Sequence, residues 1–247
     1  MIPLKSEDEL RLLKSSGAIL AKVMRELEKN IRPGVSTREL DILAEKLILA
    51  QNALPAFKGY RGFPAALCAS INEEIVHGIP SDRRLAEGDI IGVDLGVNYQ
   101  GYFSDAAITL PVGKISPKIK KLIGVARDSL AEGIKEAKAG NHLFDISARI
   151  QRHVEKNGFS VVRQFVGHGI GLSLHEDPEV PNFGEPHQGP LLKAGMVLAI
   201  EPMVNMGGWE AEVLDNGWTA VTADRLPSAH FEHTVAITEK GPEILTN

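Results

Sequence analysis

Apolar residues near the start of the chain recur at helical intervals. Leu10, Leu13, Ile19, Leu20, Val23 and Leu27 form one stripe behind Ser6-Glu-Asp-Glu9, which has the form of a capping box, and this predicts a helix up to Asn30. Pro33-Gly34 breaks it, and Ser36-Thr-Arg-Glu39 caps a second helix carrying Leu40, Ile42, Leu43, Leu47 and Ile48. Strand signals dominate from about Ala66 to Val112. The order then restarts. Ser116-Pro117, a cap followed by proline at the first helical position, opens a helix through about Ala137, and another runs from about Leu143 to Asn157-Gly158 before strands resume. Residues 1–113 and 114–247 therefore repeat one architecture without repeating a sequence. With no low-complexity linker between them, one catalytic domain over 1–247 with pseudo-symmetric halves is expected.

Within the first run of strands, Ile90 to Leu110 reads as a hairpin about the turn-prone segment Asn98 to Gly101. A turn centred between Tyr99 and Gln100 makes Asp94 and Asp105 direct cross-strand partners, with Cβ atoms about 4.5–5.5 Å apart. Two carboxylates so placed repel each other. Burial of either is costly unless they share a proton or bind cations.

Three further residues break the apolar pattern in the second half. Glu201 interrupts Met196-Val-Leu-Ala-Ile-Glu201-Pro-Met-Val204, and Glu232 opens Phe231-Glu232-His-Thr-Val-Ala-Ile237, where buried strands avoid glutamate. His168 sits in Val166-Gly-His-Gly-Ile-Gly171, whose glycines allow close backbone approach to a ligand. Four carboxylates and one imidazole neutralise two divalent cations, and this donor set fits Mn²⁺, Fe²⁺, Co²⁺ or Zn²⁺. Two of the five come from one half and three from the other, so the site is expected at the seam, a usual place for a pocket.

Composition narrows the class without changing that picture. A chain of 247 residues, 43% hydrophobic and 24% charged, has the balance of an ordinary globular protein. A net charge of -5 argues against nucleic acid or an anionic membrane as the main partner, and no apolar run approaches membrane-spanning length. Met1 to Leu10 carries acids where a signal peptide would be apolar, and Cys68 alone can form no intrachain disulfide. Both features suit a cytoplasmic location.

The motifs Val76-His77-Gly-Ile-Pro80, Val93-Asp94-Leu-Gly96, Ser104-Asp105-Ala106, Gly167-His168-Gly-Ile-Gly171, Leu174-His175-Glu176, Ile200-Glu201-Pro-Met203, Asp215-Asn-Gly-Trp218-Thr219 and Phe231-Glu232-His233-Thr234 span nearly the whole chain. In this order they resemble the type I methionine aminopeptidases. The resemblance implies an α/β pita-bread fold, a pseudo-twofold repeat of two helices plus antiparallel strands around a curved sheet. It also implies removal of the initiator methionine from nascent polypeptides, including at the ribosome, by a monomer whose two metal ions share a bridging hydroxide.

By the same resemblance, Asp94 is a ligand of one metal, Asp105 and Glu232 bridge both, and His168 and Glu201 complete the other shell. Glu201 also shuttles a proton, while His77 and His175 hydrogen-bond the substrate. Phe57, Tyr60, Phe63, Cys68, Leu174 and Trp218 match the positions that form the methionine pocket. Leu174 stands where an aromatic residue is often found, and Phe57 is bulkier than usual at its site. Asn72 and Ser228 match a monovalent-cation site.

Alternative readings are a proline-specific peptidase of the same fold, such as aminopeptidase P or prolidase, and a non-catalytic pita-bread binding module. Aminopeptidase P and prolidase usually carry an added N-terminal domain, and the module has no need of buried carboxylates. The type II methionine enzyme carries a helical insertion between the His168 and Glu201 motifs that finds no room here. A glycosidase using Asp94 and Asp105 leaves His168, Glu201 and Glu232 unexplained.

Overall fold

Among the described residues, three of the four α-helices begin at the predicted caps, and the fourth begins at the expected Leu143. In the computed structural model, which describes residues 2–247, the Ser6 hydroxyl accepts from Glu9 N while the Glu9 carboxylate accepts from Ser6 N, starting α1 (Glu7–Glu28). The same reciprocal pair between Ser36 and Glu39 starts α2 (Thr37–Leu49). Ser116 caps α3 (Pro117–Ile134) with proline in its first turn, and α4 spans Leu143–Lys156.

Each helix pair covers its own sheet. Leu20, Val23, Leu27, Leu40 and Ile48 of α1 and α2 pack on Ile71, Ile91, Val93 and Leu95, strand residues of the first half. Leu122, Leu130, Ile146 and Ile150 of α3 and α4 pack on Leu198, Ile200, Val235 and Ile237 of the second. The repeat of two helices and antiparallel strands is thus present as expected. Among the described residues no helix is long and apolar enough to cross a membrane.

The first sheet aligns Leu54–Pro55, Ile90–Tyr99 and Leu67–Ile71, with Tyr102–Pro111 also paired to Ile90–Tyr99. The second has the order Gly241–Ile244, His233–Thr238, Val197–Ile200, Gly167–Gly169, Glu176–Val180. Two smaller three-stranded sheets complete the strands, and one of them joins the halves by pairing Ala220–Thr222 with Glu74–Val76.

The predicted hairpin is present, but its turn lies one residue further on. Tyr99 pairs with Tyr102, and the turn residues Gln100 and Gly101 both have positive φ, 54° and 86°, the pattern of a type I′ turn. Asp94 therefore faces Ala107, and Asp105 faces Gly96. Every partner has moved by two positions, which preserves side-chain parity. The two aspartates stay on one face, as diagonal rather than direct neighbours.

Candidate metal centre and substrate pocket

Strand register brings the carboxylates together. Cys68 is paired with Asp94, Asp94 with Ala107, and Ala107 N and O exchange hydrogen bonds with Glu232 O and N across the seam, at 3.4 and 2.9 Å. These four residues form one row across three strands and the segment entering a fourth, and the small Ala107 leaves its volume to the acids on either side. A second row is joined through Thr234, whose Oγ1 accepts from Asp105 N at 2.9 Å and donates to Asp105 O at 2.8 Å. Thr234 in turn faces Ala199, which faces His168. Glu201 follows directly on the strand Val197–Ile200.

The glycines around His168 do something other than expected. A Cβ on Gly167 would lie 2.3 Å from Ala199 O, and one on Gly169 would lie 2.1 Å from Asp177 O. They admit neighbouring strand backbone rather than a ligand. His168 Nδ1 lies 2.9 Å from Gly169 O, which can only accept, so Nδ1 carries a proton, and Nε2 faces Glu201 Oε1 at 3.6 Å.

The donor atoms form two clusters that share one residue. Asp105, His168 and Glu232 each offer an atom within 4.8 Å of the others, as do Glu201, His230 and Glu232. Burial pushes Asp94 and Glu201 up to about 7, and pushes Asp105 and Glu232 well above the carboxylate range, reinforced by Asp94 at Asp105 and by Asp105 at Glu232. Asp94 Oδ1, Asp105 Oδ1, Glu232 Oε1 and His230 Nε2 are buried with no hydrogen-bond partner. Ser147 Oγ and Asn182 Oδ1 are unpaired as well, but four such atoms on neighbouring acidic and imidazole side chains fit cations. Of the five expected ligands, Asp105, His168, Glu201 and Glu232 belong to these clusters, whereas Asp94 belongs to neither and His230 was not expected.

A pocket of about 640 Å³, counting its open mouth, is bounded by Asp94, Asp105, His168, Glu201 and Glu232 at one end and by the sequence-predicted Phe57, Tyr60, Phe63, Cys68, Leu174 and Trp218 on its walls, with His77, His175 and Arg61. Phe63 meets Phe57 and Trp218 edge-on, at centroid distances of 6.5 and 5.1 Å. Gly96 is needed for this wall, because a Cβ there would lie 2.6 Å from Phe57 Cε1. Burial, followed by the adjacent Asp94, drives the Cys68 thiol well above its usual range and keeps it protonated.

Both predicted histidines reach the pocket in their neutral form. Burial lowers His77 to about 4, and burial with His168 lowers His175 to about 3. His77 holds a φ of 59°, rare for a residue with a side chain and typical of functional positions. Asn72 and Ser228 are neighbours, with Ser228 N donating to Asn72 O at 2.9 Å, but they lie outside this pocket. The Asn72 side chain bonds Asp89 and Ile90 N, and the Ser228 hydroxyl bonds Asn205.

Sequence reading missed His230 and Arg61. The signal for His230 was available, since it sits two positions before Glu232 in an apolar stretch, the spacing that returns a side chain to the same side of an extended segment.

The profile of metallopeptidase family M24 matches residues 11–239. The chain is 55% identical over 246 residues to a methionine aminopeptidase of Clostridium perfringens, covering 100% of this chain and 99% of that one. It is 53% identical to methionine aminopeptidase 1 of Bacillus subtilis with the same coverage. In structure it resembles the methionine aminopeptidase of Thermotoga maritima, with a TM-score of 0.99 at 47% identity and all of both chains covered. A prolidase from Pyrococcus horikoshii gives 0.81 at 26% identity, with 99% of this chain covering 63% of that one. Sequence match, shared fold and a buried carboxylate and imidazole centre together establish that this chain belongs to metallopeptidase family M24.

Proposed function

We propose that this protein is a methionine aminopeptidase that releases the initiator methionine from nascent polypeptides, acting as a cytoplasmic monomer. The observation that carries the reading is a cluster of orphaned buried carboxylate oxygens opening into an apolar, aromatic-walled pocket that fits one side chain. Asp94, Asp105, His168, Glu201 and Glu232 hold two divalent cations drawn from Co²⁺, Mn²⁺, Fe²⁺ and Zn²⁺. Bound there, such ions polarise a carbonyl and acidify water.

The rest belongs to the chain's own side chains. Phe57, Tyr60, Phe63, Cys68, Leu174 and Trp218 enclose the methionine side chain, whose sulfur packs well against aromatic rings. Neutral His77 and His175 present ring nitrogens to the scissile amide, and neither adds charge to an already crowded electrostatic site. Glu201, held near neutrality by burial, can take a proton and return it to the leaving amine.

The test is a peptide panel on metal-stripped protein reloaded with each of the four ions. Release of Met from a Met-Ala-Ser peptide, with Xaa-Pro peptides left intact, is the expected result. Cleavage of Xaa-Pro alone would assign a proline-specific peptidase instead, and no cleavage with any ion would leave the binding-module reading.

A further inference from the structure

His230 is a buried imidazole with no use in the function proposed above. Its side chain is 3% exposed, and Nε2 has no hydrogen-bond partner. Its backbone is clamped across the seam by Thr109, whose Oγ1 accepts from His230 N at 2.8 Å and donates to His230 O at 2.9 Å. It is also paired in register with Met203. The ring therefore stands where the fold puts it, and its free nitrogen points at acids.

Glu201 lies between two imidazoles. His168 Nε2 is 3.6 Å from Oε1, and His230 Nε2 is 3.6 Å from Oε2, both too long for hydrogen bonds. Two donors on one cation at about 2.1 Å each can be at most about 4.2 Å apart. Glu201, His230 and Glu232 offer atoms within 4.8 Å of one another, and Asp105, His168 and Glu232 do the same. Small side-chain adjustments bring either set into ligating range.

We propose that His230 is a sixth protein ligand, so that each donor cluster has its own imidazole and Glu232 is common to both. This rests on the two-metal reading of the site and deepens it. The added nitrogen has a chemical consequence. Carboxylate-only shells suit Mn²⁺, whereas imidazole favours the later ions of the series, so His230 shifts the preference of its position toward Co²⁺, Fe²⁺ and Zn²⁺.

The experiment uses the full chain with its histidines labelled with ¹⁵N, stripped of metal and titrated with Co²⁺. Paramagnetic NMR counts the hyperfine-shifted imidazoles, and calorimetry gives affinities for Co²⁺ and Mn²⁺. Wild type is expected to show two strongly shifted imidazoles, with one lost in His230→Gln and the other lost in His168→Ala. In His230→Gln, affinity for one of two Co²⁺ equivalents is expected to fall at least ~10-fold, and more than affinity for Mn²⁺.

A wild-type spectrum with the His168 signal alone overturns the proposal, and needs no variant to fold. So does a His230→Gln protein that binds Co²⁺ more weakly but keeps the wild-type signals, since that result makes His230 a positioning group for Glu201. Failure of wild type to bind Co²⁺ would instead remove the metal reading itself.

Discussion

The Tyr60 hydroxyl lies 2.9 Å from His175 Nδ1, and the two rings stack with centroids 5.2 Å apart. A tyrosine hydroxyl donating to Nδ1 leaves the imidazole proton on Nε2, so a neutral histidine keeps a donor for substrate. Tyr60 thereby holds the His175 ring as well as forming a pocket wall. Tyr60→Phe keeps the stacking and removes that bond. We expect kcat/KM to fall by roughly threefold to tenfold, the worth of one neutral hydrogen bond, with metal content unchanged. Steady-state kinetics on Met-Ala-Ser check this, and an unchanged kcat/KM would refute it.

Asp105 stands in the centre of the acid cluster, 4% exposed and fixed at its backbone by Thr234. Asp105→Ala is expected to remove bound metal and activity while leaving a folded protein, because it deletes a costly buried polar group rather than a packed apolar one. Metal analysis and circular dichroism on the purified variant decide the matter. Full activity would remove Asp105 from the site.

Thr234→Val tests the link between the second-half strand and Asp105. The isosteric change deletes both bonds of Oγ1 and leaves the buried Asp105 N–H unpaired, at a cost of about 1–3 kcal/mol. Urea unfolding of metal-free protein should register that loss, and calorimetry should show weaker metal binding as Asp105 loosens. A variant as stable as wild type would show that the contact contributes nothing net.

Lys5 and Glu176 form an ion pair at 2.5 Å with side chains only 4% and 12% exposed, and Glu176 also accepts from Leu172 N and Ser173 N at 2.8 and 3.1 Å. This braces the turn that carries His175. Lys5→Met leaves a partly buried carboxylate without its cation, and we expect destabilisation of about 3 kcal/mol or less. Adding Glu176→Gln should restore part of it. Equal stabilities for wild type and Lys5→Met in chemical denaturation would contradict this account.

Metal binding should grow more stabilising as pH rises. Burial raises Asp94 and Glu201 to about 7 and pushes Asp105 and Glu232 well above the carboxylate range, all above their unfolded values near 4. The metal-free folded state thus holds more protons than the unfolded state in that interval, so it loses stability as pH rises from about 4 through 7. A cation must displace those protons, and each one displaced steepens apparent affinity by about tenfold per pH unit. The rise in melting temperature on adding Mn²⁺ or Co²⁺ should therefore be larger at pH 7.5 than at pH 5.5. A pH-independent rise would mean the carboxylates are already ionised.

Helices were legible because their signals are local. The capping boxes at Ser6 and Ser36 and the proline after Ser116 act within one turn, and each helix starts there. The four acids proposed as ligands were legible because a carboxylate in an apolar strand is an anomaly on the page of the sequence itself, and His168 because glycines flank it. Parity is equally local, and for that reason Asp94 and Asp105 share a face even though the turn falls one residue beyond its expected centre.

What the sequence could not decide was which residues meet across long separations. The row from Cys68 through Asp94 and Ala107 to Glu232, the tie from Asp105 to Thr234, the bond from Tyr60 to His175 and the placing of His230 beside Glu201 all depend on strand register and on the seam between halves. Register is the sum of many weak pairings, and a histidine at an apolar position reads the same whether its nitrogen meets a carbonyl, a carboxylate or nothing. Local chemistry announced a candidate metal centre. Only the packed structure fixed its neighbours, because burial and the pairing of distant strands decide which polar atoms are left without partners.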